Sequence, residues 1–321
     1  MDGFFALAAA NLLSPAVLAF ALGFGAAMAR SDLSVPEAAA KAMSLYLLFA
    51  IGFKGGVGVA EAGAGGQLVA ALLAGTVLSA ATPFLAFVIL RRISTLSRID
   101  AAAVAAHYGS ISVVTFVAGT TALTAAGIAY EGFMVAVAAA MEAPAILAAL
   151  WLVGKREGDG ADLWRDVFLN GSIVLLVGSF GIGWVTGPSG LDQISPFIVA
   201  PFAGVLCIFL LDMGLVAGRG FRDAGAALTW PVLGFGIAMP LIGASCGLAA
   251  ATAIGLSTGG AALMAILAGS ASYIAVPAAM RVALPEANPS ISLTMSLGVT
   301  FPFNLTLGVP LYIAAAATIG G

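Results

Sequence analysis

The stretch "AHYGSISVVTF", residues 106–116, decides how this chain is read. It lies in a run apolar enough to cross a membrane. Its middle, however, is Gly109-Ser110-Ile111-Ser112, a helix breaker followed by two hydroxyls, with the chain's single histidine, His107, just ahead. Lipid offers no water to satisfy a freed backbone group, so a break there needs a compensating reason. A second unit, Gly269-Ser270-Ala271-Ser272, stands in "LAGSASYIAVP", residues 267–277, and begins 160 positions after the first in a chain of 321.

The surroundings establish the solvent. The chain is 61% hydrophobic and only 8% charged, against about 25% charged residues in a soluble domain. Such a chain cannot cover itself with water-loving groups. Its net charge of −3 carries no basic stripe, which argues against a nucleic-acid partner. Cys207 and Cys246 lie in different apolar runs with no metal-like spacing and are expected as free thiols. Asp2, and the lack of a basic stretch behind Met1, predict no cleavable secretory signal.

A membrane helix needs about 20 apolar residues. Ten spans are predicted, at 11–29, 41–58, 68–90, 100–125, 131–153, 167–186, 195–217, 226–250, 258–282 and 290–318. The gaps carry turn or charge signals, as in "RSDLSVPE", "RRISTLSR", "TGPSGLDQ" and "LPEANPS". The most polar gap, "GKREGDGADLWRD" at 154–166, is expected as a cytoplasmic linker between residues 1–153 and 167–321. With both termini outside, eleven of the twelve basic residues fall on the inner gaps: Arg30, Lys41, Arg91, Arg92, Arg98, Lys155, Arg156, Arg165, Arg219, Arg222 and Arg281. The twelfth, Lys54, lies within span 2 or at its end. Cytoplasmic loops collect lysine and arginine, so this split supports both the span count and the orientation.

Five spans per half means that the second half enters the membrane inverted. The fold class expected is therefore an all-α membrane protein of ten transmembrane helices in two inverted five-helix repeats, with spans 4 and 9 broken. Three matches share nearly one offset: Gly109 with Gly269, Pro144 with Pro302 and Pro83 with Pro240, at 160, 158 and 157 residues.

A glycine inside a helix costs about 1 kcal/mol against alanine, and serine readily caps a new helix start. If both spans break at Gly-Ser, their second half-helices begin near the midplane with free N–H groups and positive dipole ends facing each other. That is a site for a small anion. Close packing through small residues is the competing structural account. Glu142 stands eleven residues beyond Glu131, deep in an apolar stretch and two before Pro144. With Ser112 and Thr115 it offers hard oxygen ligands to Na+; a protonated acid, or a pair with Lys54 or His107, is the alternative. The matching place in the second half is Thr300-Phe301-Pro302, with Asn304 and Thr306 one turn on, polar but uncharged. His107 reads as a helix–helix contact or a proton relay, and Lys54 and Asp212 occupy matching places in spans 2 and 7.

No G-x-x-x-x-G-K-[ST] or H-E-x-x-H motif and no Cys/His cluster is present, so an ATP motor and an intramembrane metalloprotease are unsupported. The serines have no evident partner base, and no enzyme is expected. The classes that remain are a carrier of a small anion, driven by Na+ or H+, and a channel or membrane sensor.

Four segments, "AAHYGSISVVTF", "YEGFMVAVAAAMEAPAI", "ILAGSASYIAVPAAMRVALPEANPS" and "SLGVTFPFNLTLGVPLY", resemble the sodium-dependent bicarbonate permeases, and the resemblance runs over nearly the whole chain. It implies two inverted repeats with crossed broken helices, a homotrimer in the cell membrane, and Na+-driven uptake of bicarbonate, with Na+ as the coupling ion and no other cofactor. It places the anion on Gly109, Ser110, Ile111, Ser112, Gly269, Ser270, Ala271 and Ser272. It draws the Na+ ligands from the same breaks and the "MEAP" and "TFPFN" segments: Ser112, Thr115, Glu142, Ser272, Thr300 and Asn304. A PII-like regulatory protein on the cytoplasmic side is the partner it suggests. Three places differ from the cyanobacterial members: Glu142 replaces an aspartate, Ala271-Ser272-Tyr273-Ile274 replaces a serine-rich stretch followed by an acid, and the central linker is short. A carboxylate metabolite or sulfate is the alternative cargo on the same scaffold.

Overall fold

The structure, a computed structural model, describes residues 9, 12–63, 65–153, 171–223, 229–273, 276, 277, 280 and 284–319. Helix α1 is Pro15–Met28, α2 Glu37–Ala62, α3 Gly66–Ile93, α4 Arg98–Gly109, α5 Val113–Ala125, α6 Met134–Ala140 and α7 Ala143–Val153. In the second half α8 is Gly171–Ile198, α9 Phe202–Asp223, α10 Trp230–Ala253, α11 Thr258–Ala268 and α12 Pro289–Ile319. No strand occurs among the described residues. Eight helical stretches there are long and apolar enough to cross a membrane, and Pro15–Met28 and Thr258–Ala268 are shorter apolar helices. Large apolar side chains such as Leu73, Val77, Trp151, Val185 and Trp230 point outward. Lipid tails are the natural solvent for such a surface.

Local chemistry sets many of the boundaries. Ser14 caps α1 by accepting the Val17 N–H at 3.3 Å, and Pro15 follows at the first helical position, where its missing N–H is harmless. Ser97 caps α4 through the Asp100 N–H at 3.0 Å, and Ser257 caps α11 through the Gly260 N–H at 3.1 Å. The expected gap "TGPSGLDQ" is not an open loop. Gly187 turns the chain with φ 60°, Pro188 then starts a further helical piece, and α8 runs on to Ile198. The linker 154–166, with Lys155, Arg156 and Arg165, lies outside the described residues, as does Arg281.

The helices fall into two groups. α2 packs along α8, and α1 along α9, in the two most extensive helix pairs. Both seams are made by glycines that bring backbones together. A Cβ on Gly23 would collide with the Leu211 backbone and one on Gly214 with that of Phe20. On the other seam, Gly56 faces Phe180 and Gly183 faces Phe53 in the same way. This is the small-residue packing typical of membrane helices. In the other group α3 packs on α4 and α7, and α10 on α11. Ala101 through Gly109 of α4, and Gly259 through Ala268 of α11, are buried all round, so these two helices form the centre of the molecule.

Candidate functional site

Helix α4 stops at Gly109. A Cβ there would run into the Pro83 ring and the Ala145 methyl, so the glycine serves close packing as well as the break. Ser110 and Ser112 are extended, at φ −91°, ψ 160° and φ −100°, ψ 110°. Ser112 then caps α5, its Oγ accepting the Thr115 N–H at 3.1 Å. The other break repeats the plan. Helix α11 ends at Ala268, and Gly269 presses against the Pro240 carbonyl and Ala244. The Ser272 Oγ accepts the Val276 N–H at 3.4 Å, four residues on. Most of the segment after Ser272 lies outside the described residues.

The two breaks meet. The Ser112 N–H donates to Ser270 Oγ at 2.9 Å, and the Ser272 N–H donates to the His107 carbonyl at 2.7 Å. Ser270 Oγ in turn donates to the Leu267 carbonyl at 2.8 Å. Segments 158 residues apart in sequence are thus stitched backbone to side chain and backbone to backbone. A cavity of about 20 Å³ opens beside the stitch, lined by Ile111, Ser112, Glu142, Ser272 and Tyr273, with Ser44, Leu47 and Leu48 of α2 and Phe209 of α9 across from them. That is room for roughly one water-sized sphere.

Five buried polar atoms lack a hydrogen-bond partner among the described residues: Ser110 Oγ, Thr115 Oγ1, Glu142 Oε2, Tyr273 OH and His107 Nε2. Native interiors leave few such atoms, and each asks for an explanation. Glu142 is 3% exposed. It sits in a turn that splits the fifth span, between α6 and α7. In that turn the Met141 carbonyl accepts from Ser79 Oγ at 2.6 Å and is thereby engaged. Neither expected partner of Glu142 is paired with it. Lys54 Nζ lies 4.0 Å from the centre of the Phe202 ring, a cation–π contact, and His107 Nδ1 bonds the Ala103 carbonyl at 2.7 Å. That bond places the proton on Nδ1. Among the described residues no three His, Cys, Asp or Glu side chains gather as a metal cluster. A hard monovalent cation would find there the oxygens of Glu142, Ser112 and Ser272, which line the cavity, while Thr115, expected beside them, is buried in α5 and is not among the lining residues.

The expected ligands of the second half are held differently. Thr300 Oγ1 donates to the Gly236 carbonyl at 2.7 Å, so it accepts from the Tyr108 hydroxyl, also at 2.7 Å. Asn304 donates to the Gly269 carbonyl at 2.8 Å and accepts from Tyr312 at 2.9 Å. Asn304 braces the second break, Thr300 ties α4 to α10, and neither lines the cavity. Ala271 packs in an apolar cluster with Tyr108, Phe235 and Met295. The span that carries them, α12, is π-helical over Thr294–Thr300 and Asn304–Gly308, a distortion often found at functional sites. Tyr273 is the site residue that sequence reasoning passed over. Its ring stacks edge-on against Phe301, centroids 5.2 Å apart, and its hydroxyl is one of the five unpartnered atoms. Nothing in the periodicity marks it, because an aromatic beside a break reads as core.

Long apolar helices around a polar, discontinuous centre define a multi-pass membrane protein. Residues 15–317 match the Na+-dependent bicarbonate transporter superfamily, and the chain belongs to that family. It is a transporter and not an enzyme; bicarbonate and Na+ are the substrates the family implies. No curated protein matches the chain.

Proposed function

We propose that this protein is a symporter that brings bicarbonate into the cell with Na+, holding the anion at the crossed breaks of spans 4 and 9. The observation that carries this reading is the meeting of two serine-bearing breaks over a cavity lined by Glu142, whose Oε2 has no partner among the described residues. Helix N-termini favour an anion. A buried carboxylate beside them repels one, unless a cation arrives too. Na+ at Glu142, Thr115 and the cap serines would turn that repulsion into mutual dependence, which is the thermodynamic content of symport.

The reading includes two inverted repeats, residues 1–153 and 167–321 joined by the 154–166 linker, ten spans and both termini outside. Support comes from contacts remote from the two Gly-Ser motifs. Gly23 corresponds to Gly183 at an offset of 160, and Gly56 to Gly214 at 158. Each pair makes the equivalent backbone-to-backbone seam, span 1 on span 7 and span 6 on span 2. Ser97 and Ser257, also 160 apart, cap α4 and α11 alike. The cavity is walled on one side by α2 and α9 and on the other by the crossing segments. Bicarbonate, a carbon with three oxygens, needs more room than one water. Entry therefore requires the α1, α2, α8, α9 group to part from the rest, a motion of one body against the other. By family resemblance the assembly is a homotrimer in the cell membrane with a PII-like protein as its cytoplasmic partner.

Uptake of labelled bicarbonate into proteoliposomes, with an inward Na+ gradient against an equal K+ gradient, tests the reading. Accumulation only with Na+ is expected; accumulation indifferent to Na+ would overturn it. Tyr273 favours one further reading, a different small anion such as a carboxylate metabolite or sulfate, because it lines the cavity at the place where the chain departs from the cyanobacterial members. Competition by those anions in the same vesicles separates the two.

A further inference from the structure

A second polar cavity, of about 410 Å³, lies where α1 ends beside the last turns of α9. It is lined by Ala27, Arg30, Ser31, Arg219 and Arg222, with no acidic side chain among the described lining residues. Two of the three arginines are oriented by backbone carbonyls. Arg219 Nη2 donates to Leu33 at 2.9 Å and Arg222 Nη1 to Ala27 at 3.2 Å.

Arg30 itself is out of place in a telling way. Three described helix ends close with the same pair of bonds, from the first and second residues past the cap back into the last turn. They are Arg30 to Ala27 with Ser31 to Ala26, Gly127 to Thr124 with Ile128 to Leu123, and Gly255 to Thr252 with Leu256 to Ala251. This closure needs a left-handed residue, and glycine is the usual choice. Gly127 and Gly255 comply, at φ 68° and 71°. The third end has Arg30 at φ 58°, the one described non-glycine residue with positive φ. A long side chain there is strained, so local backbone structure does not account for an arginine. The cavity with Arg219 and Arg222 does.

We infer that this cavity is a binding site for a phosphate group, supplied by the headgroup of an anionic phospholipid. Arginine's planar fork matches phosphate oxygens, and basic pockets between membrane helices at the headgroup level take such lipids. The cavity lies at helix ends, where headgroups sit, and on the side that collects nearly all the basic residues. It is separate from the crossing site and does not depend on what the protein carries.

The test is the thermal stability of the purified full chain in detergent, titrated with phosphatidic acid, with phosphatidylcholine, or with inorganic phosphate. The variant is Arg30→Gly, which suits the left-handed position and should melt no lower than wild type without lipid. Phosphatidic acid should stabilise the wild type well beyond phosphatidylcholine. In Arg30→Gly its half-effect concentration should rise by about fivefold, the worth of one basic residue near a charged surface. Native mass spectrometry, counting anionic lipids retained by each protein, gives a second readout. Equal anionic-lipid dependence in both proteins would overturn the site. An equal response to inorganic phosphate alone, lost in Arg30→Gly, would overturn the lipid as its source.

Discussion

Replacing Glu142 by glutamine removes one charge and almost no volume, which makes it the sharpest probe of coupling. The carboxylate is 3% exposed and its Oε2 has no partner. A buried acceptor left unsatisfied costs about 1–3 kcal/mol, so without Na+ the glutamine variant should melt no lower than wild type. With Na+ the order should reverse. Two unit charges about 4 Å apart attract by about 4 kcal/mol at an effective dielectric of about 20. If half of that is lost to stripping water from the cation, about 2 kcal/mol remains. At about 1.4 kcal/mol per decade, the Na+ concentration needed for half-maximal stabilisation should rise by roughly thirtyfold. The assay is a Na+ titration of melting temperature at fixed bicarbonate, with K+ holding ionic strength constant. A variant that keeps its Na+ midpoint within about twofold of wild type would refute the assignment of the coupling cation to this carboxylate.

Three further outcomes follow from the same geometry. Tyr273→Phe deletes an unpartnered hydroxyl at the cavity; if that group holds the charged substrate, losing about 1.5–3 kcal/mol should raise half-saturation for uptake at least tenfold without lowering the melting temperature. Ser112→Ala removes a helix cap worth about 1 kcal/mol, and Ser272→Ala removes the acceptor of the Val276 N–H, so both should melt lower and both should lose anion-dependent stabilisation, measured by bicarbonate titration. Asn304→Ala leaves the buried Gly269 carbonyl without its donor. Melting should fall by the equivalent of about 1–3 kcal/mol, while the Na+ midpoint shifts less than in Glu142→Gln, as suits a brace rather than a ligand.

Much of this was legible in sequence because lipid imposes strict rules. Apolar runs of helix length located the eight described stretches long enough to cross a membrane. Gly109 followed by Ser110 and Ser112 marked the break, since a hydroxyl can cap a new start where the old helix stops. Other features depend on distant partners, and no local signal encodes them. The long helix past Gly187 looked like a loop because Gly, Pro, Ser and Asp crowd there; Pro188 at the head of the new piece makes the same residues helical. Thr300 and Asn304 presented themselves as ligands because their oxygens suit a cation, but Tyr108 and Gly236, and Gly269 and Tyr312, engage those groups. The His107 prominent in sequence serves the crossing through its backbone carbonyl, an atom every residue has. Its side chain gives no hint of that role.

The glycine seams also have a consequence for how the molecule is made. Gly23 and Gly56, in the first half, close against Leu211 and Phe180, in the second. Neither α1 nor α2 can complete its tightest contact until α8 and α9 have left the ribosome and entered the bilayer. The nascent amino-terminal half must wait in lipid with two open, notched faces, and helices synthesised later finish the first. Two halves expressed as separate chains should therefore seek each other out, because each carries the missing wall of the other.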